Sequence, residues 1–438
     1  DGHVGVCPSV CIFGSLIHSV RSFVDLRCPS SIAPCQMSRF VQLPVPVGRR
    51  VGSALSGSAT ASASVVSKTP RRNIPQDALS NPHHVTRNGK LVRFKNPYPS
   101  FSHDINPFIV ARAMLWPALT GKRKFPDTSN PGIRVLKPQW PSGHESSSKL
   151  RATWLGHACY YVEFPSGLRV LYDPVFEERC SPLPFMGPKR YTPAPCTAKD
   201  IPLVDIVVIS HSHYDHLSIK TVQALKDHHP NAHFLVPLGL EAWFRHRGFK
   251  NVTEFDWWED AELTVRTDDG EIAAKVSCLP AQHATARSLF DENKTLWSSF
   301  AITSGGKSVW FAGDTGYRGI KENPDGASYD ADFSHLPHNP QFEQIGKLRG
   351  PFDLGLIPIG AYSPRMAFSA VHGNPYDAVE IFKDTKCQRA MGIHWGTWAL
   401  TMEDVLDPPR LLKDALRRSG IAEQGVFDVC DIGESREF

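Results

Sequence analysis

Apolar residues in this chain fall mostly in short runs, separated by clusters of Pro, Gly, Ser, Asn and Asp. From residue 150 the runs become regular. Their spacing predicts strands over 153–164 and 168–173, joined as a hairpin by Pro165-Ser166-Gly167. The unbroken run Ile206-Val207-Val208-Ile209 has the pattern of a strand covered on both faces, predicted over 206–210. Further strands are expected at 275–280, 299–303, 308–312, 353–359 and 390–393, with Gly305-Gly306 turning the second of these runs into the third. Helical spacing covers 219–227, 238–245, 375–384 and 409–419. Strands with interspersed helices argue for an α/β domain of layered sheets. The order of elements is compatible with two similar halves.

Upstream the pattern weakens. Residues 77–150 are rich in Pro, Asn and Gly and show little periodicity. One apolar patch, Phe108-Ile109-Val110-Ala111 followed by Met114-Leu115-Trp116, suits either packing on the main domain or lying against lipid. Between Leu26 and Gln76 there is no acidic residue, while arginines and serines are frequent. From Met37 that stretch fits a mitochondrial transit peptide and equally a disordered tail. The expected organisation is a disordered or targeting extension over 1–76, an N-terminal extension packing on the core over 77–149, and a catalytic domain over 150–438.

The chain has 438 residues, 41% hydrophobic and 21% charged, the proportions of a soluble globular protein. A net charge of +4 does not argue for nucleic acid as a partner. No uncharged apolar stretch is long enough to predict a membrane-spanning helix. Ten cysteines without a CxxC pair read as free thiols in a reducing, intracellular setting.

The chemistry concentrates in Ser210-His211-Ser212-His213-Tyr214-Asp215-His216-Leu217, directly after the buried run. Imidazoles and a carboxylate are the usual ligands for zinc and similar first-row metals. In His-x-His-x-Asp-His, His211 and His213 can serve one ion, and Asp215 and His216 a second. More candidates stand at strand ends: His283 after the 275–280 strand, Asp314 after Val309-Trp310-Phe311-Ala312-Gly313, and His394 after Ala390-Met391-Gly392-Ile393. Ligand pockets of α/β folds lie at such ends. The economical assembly puts His211, His213 and His283 on one metal, Asp215, His216 and His394 on the other, and Asp314 between them, because a carboxylate can ligate through both oxygens. His157 and Asp173 read as residues that orient ligands rather than bind metal.

This set resembles the metallo-β-lactamase superfamily. The flanking segments Thr153-Trp154-Leu155-Gly156-His157-Ala158, Tyr172-Asp173-Pro174-Val175-Phe176, Leu279-Pro280-Ala281-Gln282-His283, Phe311-Ala312-Gly313-Asp314-Thr315-Gly316-Tyr317, Ile357-Pro358-Ile359-Gly360-Ala361-Tyr362 and His394-Trp395-Gly396-Thr397 resemble its N-acylphosphatidylethanolamine-hydrolysing phospholipase D family, over residues 80–418. The resemblance implies a four-layer αβ/βα sandwich with two Zn2+ at one edge. It implies cleavage of a membrane phospholipid, N-acylphosphatidylethanolamine, to N-acylethanolamine and phosphatidic acid. In that reading Asp215 and Asp314 orient the attacking water, Tyr214 and His372 contact substrate, and Arg287 pairs with phosphate. The enzyme would be intracellular and associate peripherally with membranes, and a homodimer is compatible with it. Two segments depart from the family pattern: Ala284 stands where an aromatic is common, and Ser363-Pro364-Arg365 where animal members carry Glu-Pro-Arg. The alternative is a hydrolase of the same fold acting on a soluble ester, lactone or phosphodiester. A nuclease would want a basic arm near the site, and no Lys/Arg cluster appears between 150 and 400.

Overall fold

The computed structural model describes residues 63–102, 125–140, 148–268, 270–288, 290–321 and 333–438. The apolar patch at 108–116 and the segment 1–62 lie outside the described residues.

The strands in chain order are β1 (Ala63–Thr69), β2 (His84–Arg87), β3 (Lys90–Phe94), β4 (Arg151–Gly156), β5 (Cys159–Glu163), β6 (Arg169–Tyr172), β7 (Ile206–Val208), β8 (His233–Pro237), β9 (Val252–Phe255), β10 (Glu259–Thr267), β11 (Gly270–Leu279), β12 (Ser299–Ser304), β13 (Lys307–Phe311), β14 (Phe352–Pro358), β15 (Cys387–Ile393), β16 (Phe427–Asp428) and β17 (Ser435–Glu437). The helices are α1 (Ile219–His228), α2 (Glu241–Arg245), α3 (Gln341–Leu348), α4 (Arg365–Phe368), α5 (Pro375–Asp384) and α6 (Asp407–Arg418).

Two sheets carry the domain. One runs β17-β4-β5-β6-β7-β8-β9, the other β1-β10-β11-β12-β13-β14-β15-β16. Each begins with antiparallel pairs and ends with parallel ones: β6 to β9 in the first, β13 to β16 in the second. That shared plan is the likeness of halves expected from the order of elements.

The period of two along a strand decides what lies between the layers. Ile206 and Val208 join Trp154, Tyr160, Tyr172, Phe300, Trp310 and Leu356 in the core shared by both sheets. Val207 and Ile209 point the other way, to Val222 and Leu225 of α1 and Phe244 of α2. On the second sheet, Ile381 and Phe382 of α5 and Leu412 and Leu416 of α6 supply the helical cover. The result is helix, sheet, sheet, helix, the four-layer α/β sandwich expected. No helix among the described residues is long and apolar enough to cross a membrane.

Two differences from the sequence reading have clear physical causes. The run 153–164 is two strands, because Gly156 and His157 take left-handed φ values of 97° and 53° and reverse the chain. The extension expected over 1–76 contains a strand, β1, which pairs antiparallel with β10 along its whole length. Its alternation of half-buried and exposed residues is that of an edge strand, which composition alone conceals. Strands β8 to β10 were also missed, and the helix expected over 238–245 starts only at Glu241.

The extension does pack on the core. Phe94 N donates to Asn293 O at 2.8 Å, and Leu136 N to Ile432 O at 2.7 Å. A chain starting at residue 70, compared with one starting at residue 63, should lose about 2 kcal/mol, the order of burying one valine-sized side chain such as Val66. Urea unfolding midpoints of the two chains measure this; equal midpoints would show that β1 contributes nothing.

Candidate metal centre

Strands of both sheets end at one edge, and the titratable side chains follow them. Asp173 leaves β6, the His211–His216 loop follows β7, His283 follows β11, Asp314 follows β13 and His394 follows β15. All are buried. Gly313, with φ 60°, lets the loop approach closely: a Cβ there would lie 2.6 Å from Ser210 Cβ.

The first triad is His211, His213 and His283. His213 Nδ1 lies 2.9 Å from His211 Nε2 and 3.2 Å from His283 Nε2. The opposite nitrogens fix the tautomers. His283 Nδ1 is 3.0 Å from Val371 O, a pure acceptor, so its proton sits there and Nε2 keeps a lone pair. Ser210 Oγ is 2.5 Å from Asp173 Oδ2 and donates to it, so it accepts from His211 Nδ1 at 2.9 Å. His211 Nε2 is therefore also a lone pair. Burial, reinforced by neighbouring imidazoles, holds His211 well below its usual pKa and His213 at about 3. Burial also lowers His283 to about 4 against the pull of Asp314. The triad is neutral at pH 7, the form that ligates metal.

The second group is Asp215, His216 and His394, with His157 beside them. Asp215 Oδ2 lies 3.4 Å from both His216 Nε2 and His394 Nε2. His216 Nδ1 donates to Asp173 Oδ2 at 2.6 Å, which again leaves Nε2 facing inward. Burial opposes charge on His216, but Asp314, Asp215 and Asp173 more than reverse this and raise it well above its usual value. His394, by the same opposition of burial and carboxylates, rises to about 9. Asp314 joins the groups: its Oδ2 is 2.9 Å from His394 Nε2, 3.1 Å from His216 Nε2, 3.8 Å from His283 Nε2 and 3.9 Å from His211 Nε2.

These residues fit a pair of cations. Asp314 Oδ1, His216 Nε2 and His394 Nε2 are buried with no hydrogen-bond partner. In the triad at most one proton, on His213 Nδ1, could be shared among three converging nitrogens. Buried polar atoms left this way are costly unless something electropositive lies between them.

The expected supporting residues are in place. His157 Nε2 lies 3.0 Å from Asp215 Oδ2, and its backbone N–H donates to Thr397 Oγ1 at 2.8 Å. Asp173 accepts from Ser210 N at 2.7 Å in addition to its contacts with Ser210 Oγ and His216. His372 is buried against both ligand groups, its ring 5.0 Å from His283 and 5.1 Å from His394, with Nδ1 unpaired.

Tyr214 and Arg287 pack together against the histidine loop. Arg287 Nη1 donates to Ser212 O at 2.7 Å and Leu217 O at 2.8 Å, and its guanidinium lies 4.0 Å over the Tyr214 ring. Through Nη1 it braces the histidine loop. Tyr214 in turn donates to Arg287 O at 3.1 Å. Both line a cavity of about 450 Å³ with Trp243 and Arg247. Ser210 was missed as a functional residue; its position between a strand and the first ligand was the available signal. Trp398 packs edge-on at 4.9 Å from His157.

Comparison with known proteins agrees with this geometry. A family model described as a β-lactamase superfamily domain matches residues 168–395. The N-acyl-phosphatidylethanolamine-hydrolyzing phospholipase D 1 of Caenorhabditis elegans is 34% identical over 360 residues, covering 80% of this chain and 92% of that protein. The chain belongs to this phospholipase D family. It is thus a metal-dependent hydrolase by fold and family. Another member, the N-acyl-phosphatidylethanolamine-hydrolyzing phospholipase D, mitochondrial, of Saccharomyces cerevisiae, is 34% identical over 264 residues, 60% of this chain and 50% of that protein. An uncharacterized protein of Mycobacterium bovis is 39% identical over 259 residues, 58% of this chain and 60% of its own length.

Asp173→Asn should weaken metal binding by about 10–100-fold, the usual cost of losing a carboxylate behind a ligating histidine. Competition with a chromophoric chelator reads the affinity; wild-type affinity would remove Asp173 from this role. Metal loading should also release protons. His394, raised to about 9, is protonated at pH 7 in the metal-free protein and must be neutral to ligate. Affinity should therefore climb with pH up to about 9. Calorimetry in buffers of different ionisation enthalpy gives the proton count, and no buffer dependence at pH 7 would contradict it.

Proposed function

We propose that this chain hydrolyses N-acylphosphatidylethanolamine, of the phospholipase D type, to N-acylethanolamine and phosphatidic acid, using two zinc ions. The observation that carries the reading is the Asp314 carboxylate set between two ligand groups, in a chain that covers 92% of a relative named for this reaction. His211, His213 and His283 would hold one ion, Asp215, His216 and His394 the other, with Asp314 bridging. Nitrogen and carboxylate donors without cysteine suit catalytic rather than structural zinc.

Bound zinc supplies Lewis acidity at a phosphoryl oxygen and lowers the pKa of water to about 7. The protein's part is to hold donors and shape the cleft. Asp215 and Asp314 stay ionised, because burial, which alone would raise them, is overcome by His216 and its neighbours. As carboxylates they accept hydrogen bonds and so orient the attacking water. His157 keeps Asp215 turned inward. His372, buried with Nδ1 unpaired beside both ligand groups, is placed to meet a substrate oxygen. Tyr214 shapes the cleft, and Arg287 acts on substrate through Tyr214 and the loop carbonyls. With no spanning helix among the described residues, the phospholipid would be met by peripheral contact with a membrane. The word mitochondrial in the yeast relative's name supports reading the acid-poor segment near Met37 as an import signal.

The test is a product assay. Zinc-loaded protein given N-acylphosphatidylethanolamine should release N-acylethanolamine and phosphatidic acid. Asp314→Asn should cut the rate at least about 100-fold, as expected for loss of a group that positions reactants. Folded, metal-loaded protein without product would sink the substrate assignment, and soluble esters, lactones and phosphodiesters would then be screened.

A further inference from the structure

Away from this centre, His83 and His84 converge on Asp256. His83 Nε2 is 2.7 Å from Asp256 Oδ1, and His84 Nε2 is 2.9 Å from Oδ2. The three side chains place ligand atoms within 4.8 Å of one another. His83 is buried and stacked on Trp257 at 4.3 Å, and the two imidazole rings lie edge to face at 4.4 Å.

The carboxylate is prepared on its outer side. Trp257 N donates to Oδ1 at 2.8 Å, and Arg71 Nη2 to Oδ2 at 2.9 Å, while Arg71 Nη1 is held by Asn81 Oδ1 at 2.7 Å. Each oxygen thus keeps one fixed donor; Oδ1 is also hydrogen-bonded to His83 Nε2 at 2.7 Å, and Oδ2 turns its remaining lone pair toward His84. Ligating carboxylates are commonly hydrogen-bonded in this way. His84 Nε2 is the decisive atom. It is buried and makes no hydrogen bond, although the Asp256 oxygen is only 2.9 Å away. Nitrogen and oxygen touch without a proton aimed between them. His216 Nε2 and His394 Nε2 have the same status beside Asp314 in the catalytic centre.

We propose that His83, His84 and Asp256 form a separate divalent-cation site for zinc or a similar first-row metal. Drawing the three atoms to zinc distances of about 2.0–2.2 Å requires their contacts to open by roughly half an ångström. Two ligands come from the start of β2 and the residue before it, the third from the turn between β9 and β10. The ion would staple the N-terminal segment to the catalytic domain. Arg71 is the competing charge, and its bond to Asn81 keeps it behind the carboxylate rather than between the histidines.

The test is metal stoichiometry. Full-length protein is saturated with zinc, desalted and measured by plasma mass spectrometry. A His83→Gln/His84→Gln variant should hold one zinc per chain fewer than wild type. The same loss is expected when both substitutions are made in the Asp314→Asn background, which separates this site from the catalytic centre. Circular dichroism verifies folding. Should the double variant not fold, His84→Gln alone, whose ring is partly exposed, should weaken that one equivalent at least about tenfold. Equal zinc content and affinity in wild type and folded variants would show an ordinary His–Asp ion pair and overturn the proposal.

Discussion

One buried carboxylate governs the metal centre. Asp173 binds His216 directly and His211 through the Ser210 hydroxyl, so a single side chain sets one histidine in each ligand group. Both imidazoles then turn Nε2 inward. Asp173 lies at the end of β6, and its own N–H donates to Val208 O of the adjacent β7. The parallel pairing of β6 and β7 therefore fixes the distance between Asp173 and the histidine loop. Fold and tautomer are linked through a few hydrogen bonds, each expensive to break because all partners are buried.

The same region stores strain. His157, Asp173, Ala361 and His394 are non-glycine residues at positive φ. Such conformations cost on the order of 1–3 kcal/mol each and persist where surrounding contacts over-determine them. Here the contacts are visible: His157 O accepts from His394 N at 3.1 Å and from Trp154 Nε1 at 2.9 Å. Two strained residues at the ends of different sheets hold each other in place. Through that cross-link the loop after β4 and the end of β15 keep Asp215 and His394 side by side.

The converging histidines and aspartates were legible in the sequence because their pattern is local. Three histidines and an aspartate follow an unbroken apolar strand, and the other residues of the cluster each follow another. The role of Ser210 was less legible, since one hydroxyl among many gives no periodic signal. The carbonyls that hold Arg287 were not legible either, since sequence shows its charge but not Ser212 O and Leu217 O. Strand β1 hid in Ser- and Ala-rich composition, because a short edge strand gives little signal apart from the β10 it pairs with. The split of β4 from β5 turned on backbone conformation at Gly156 and His157, which hydrophobic patterning does not encode.

The least periodic part of the chain turns out to touch the chemistry. Asn96 Nδ2 donates to His283 O at 2.8 Å, and Ser100 Oγ to Gln282 Oε1 at 2.6 Å. Gln282 Nε2 passes the constraint on to Ala370 O at 2.9 Å. The neighbouring Val371 O is the acceptor that sets the His283 tautomer. The segment after β3 thus clamps the ligand His283 and the loop that carries His372 at once. An extension that looks dispensable by pattern is, by hydrogen bonding, one wall of the centre, and any motion of it would reach a metal ligand and the adjoining His372 together.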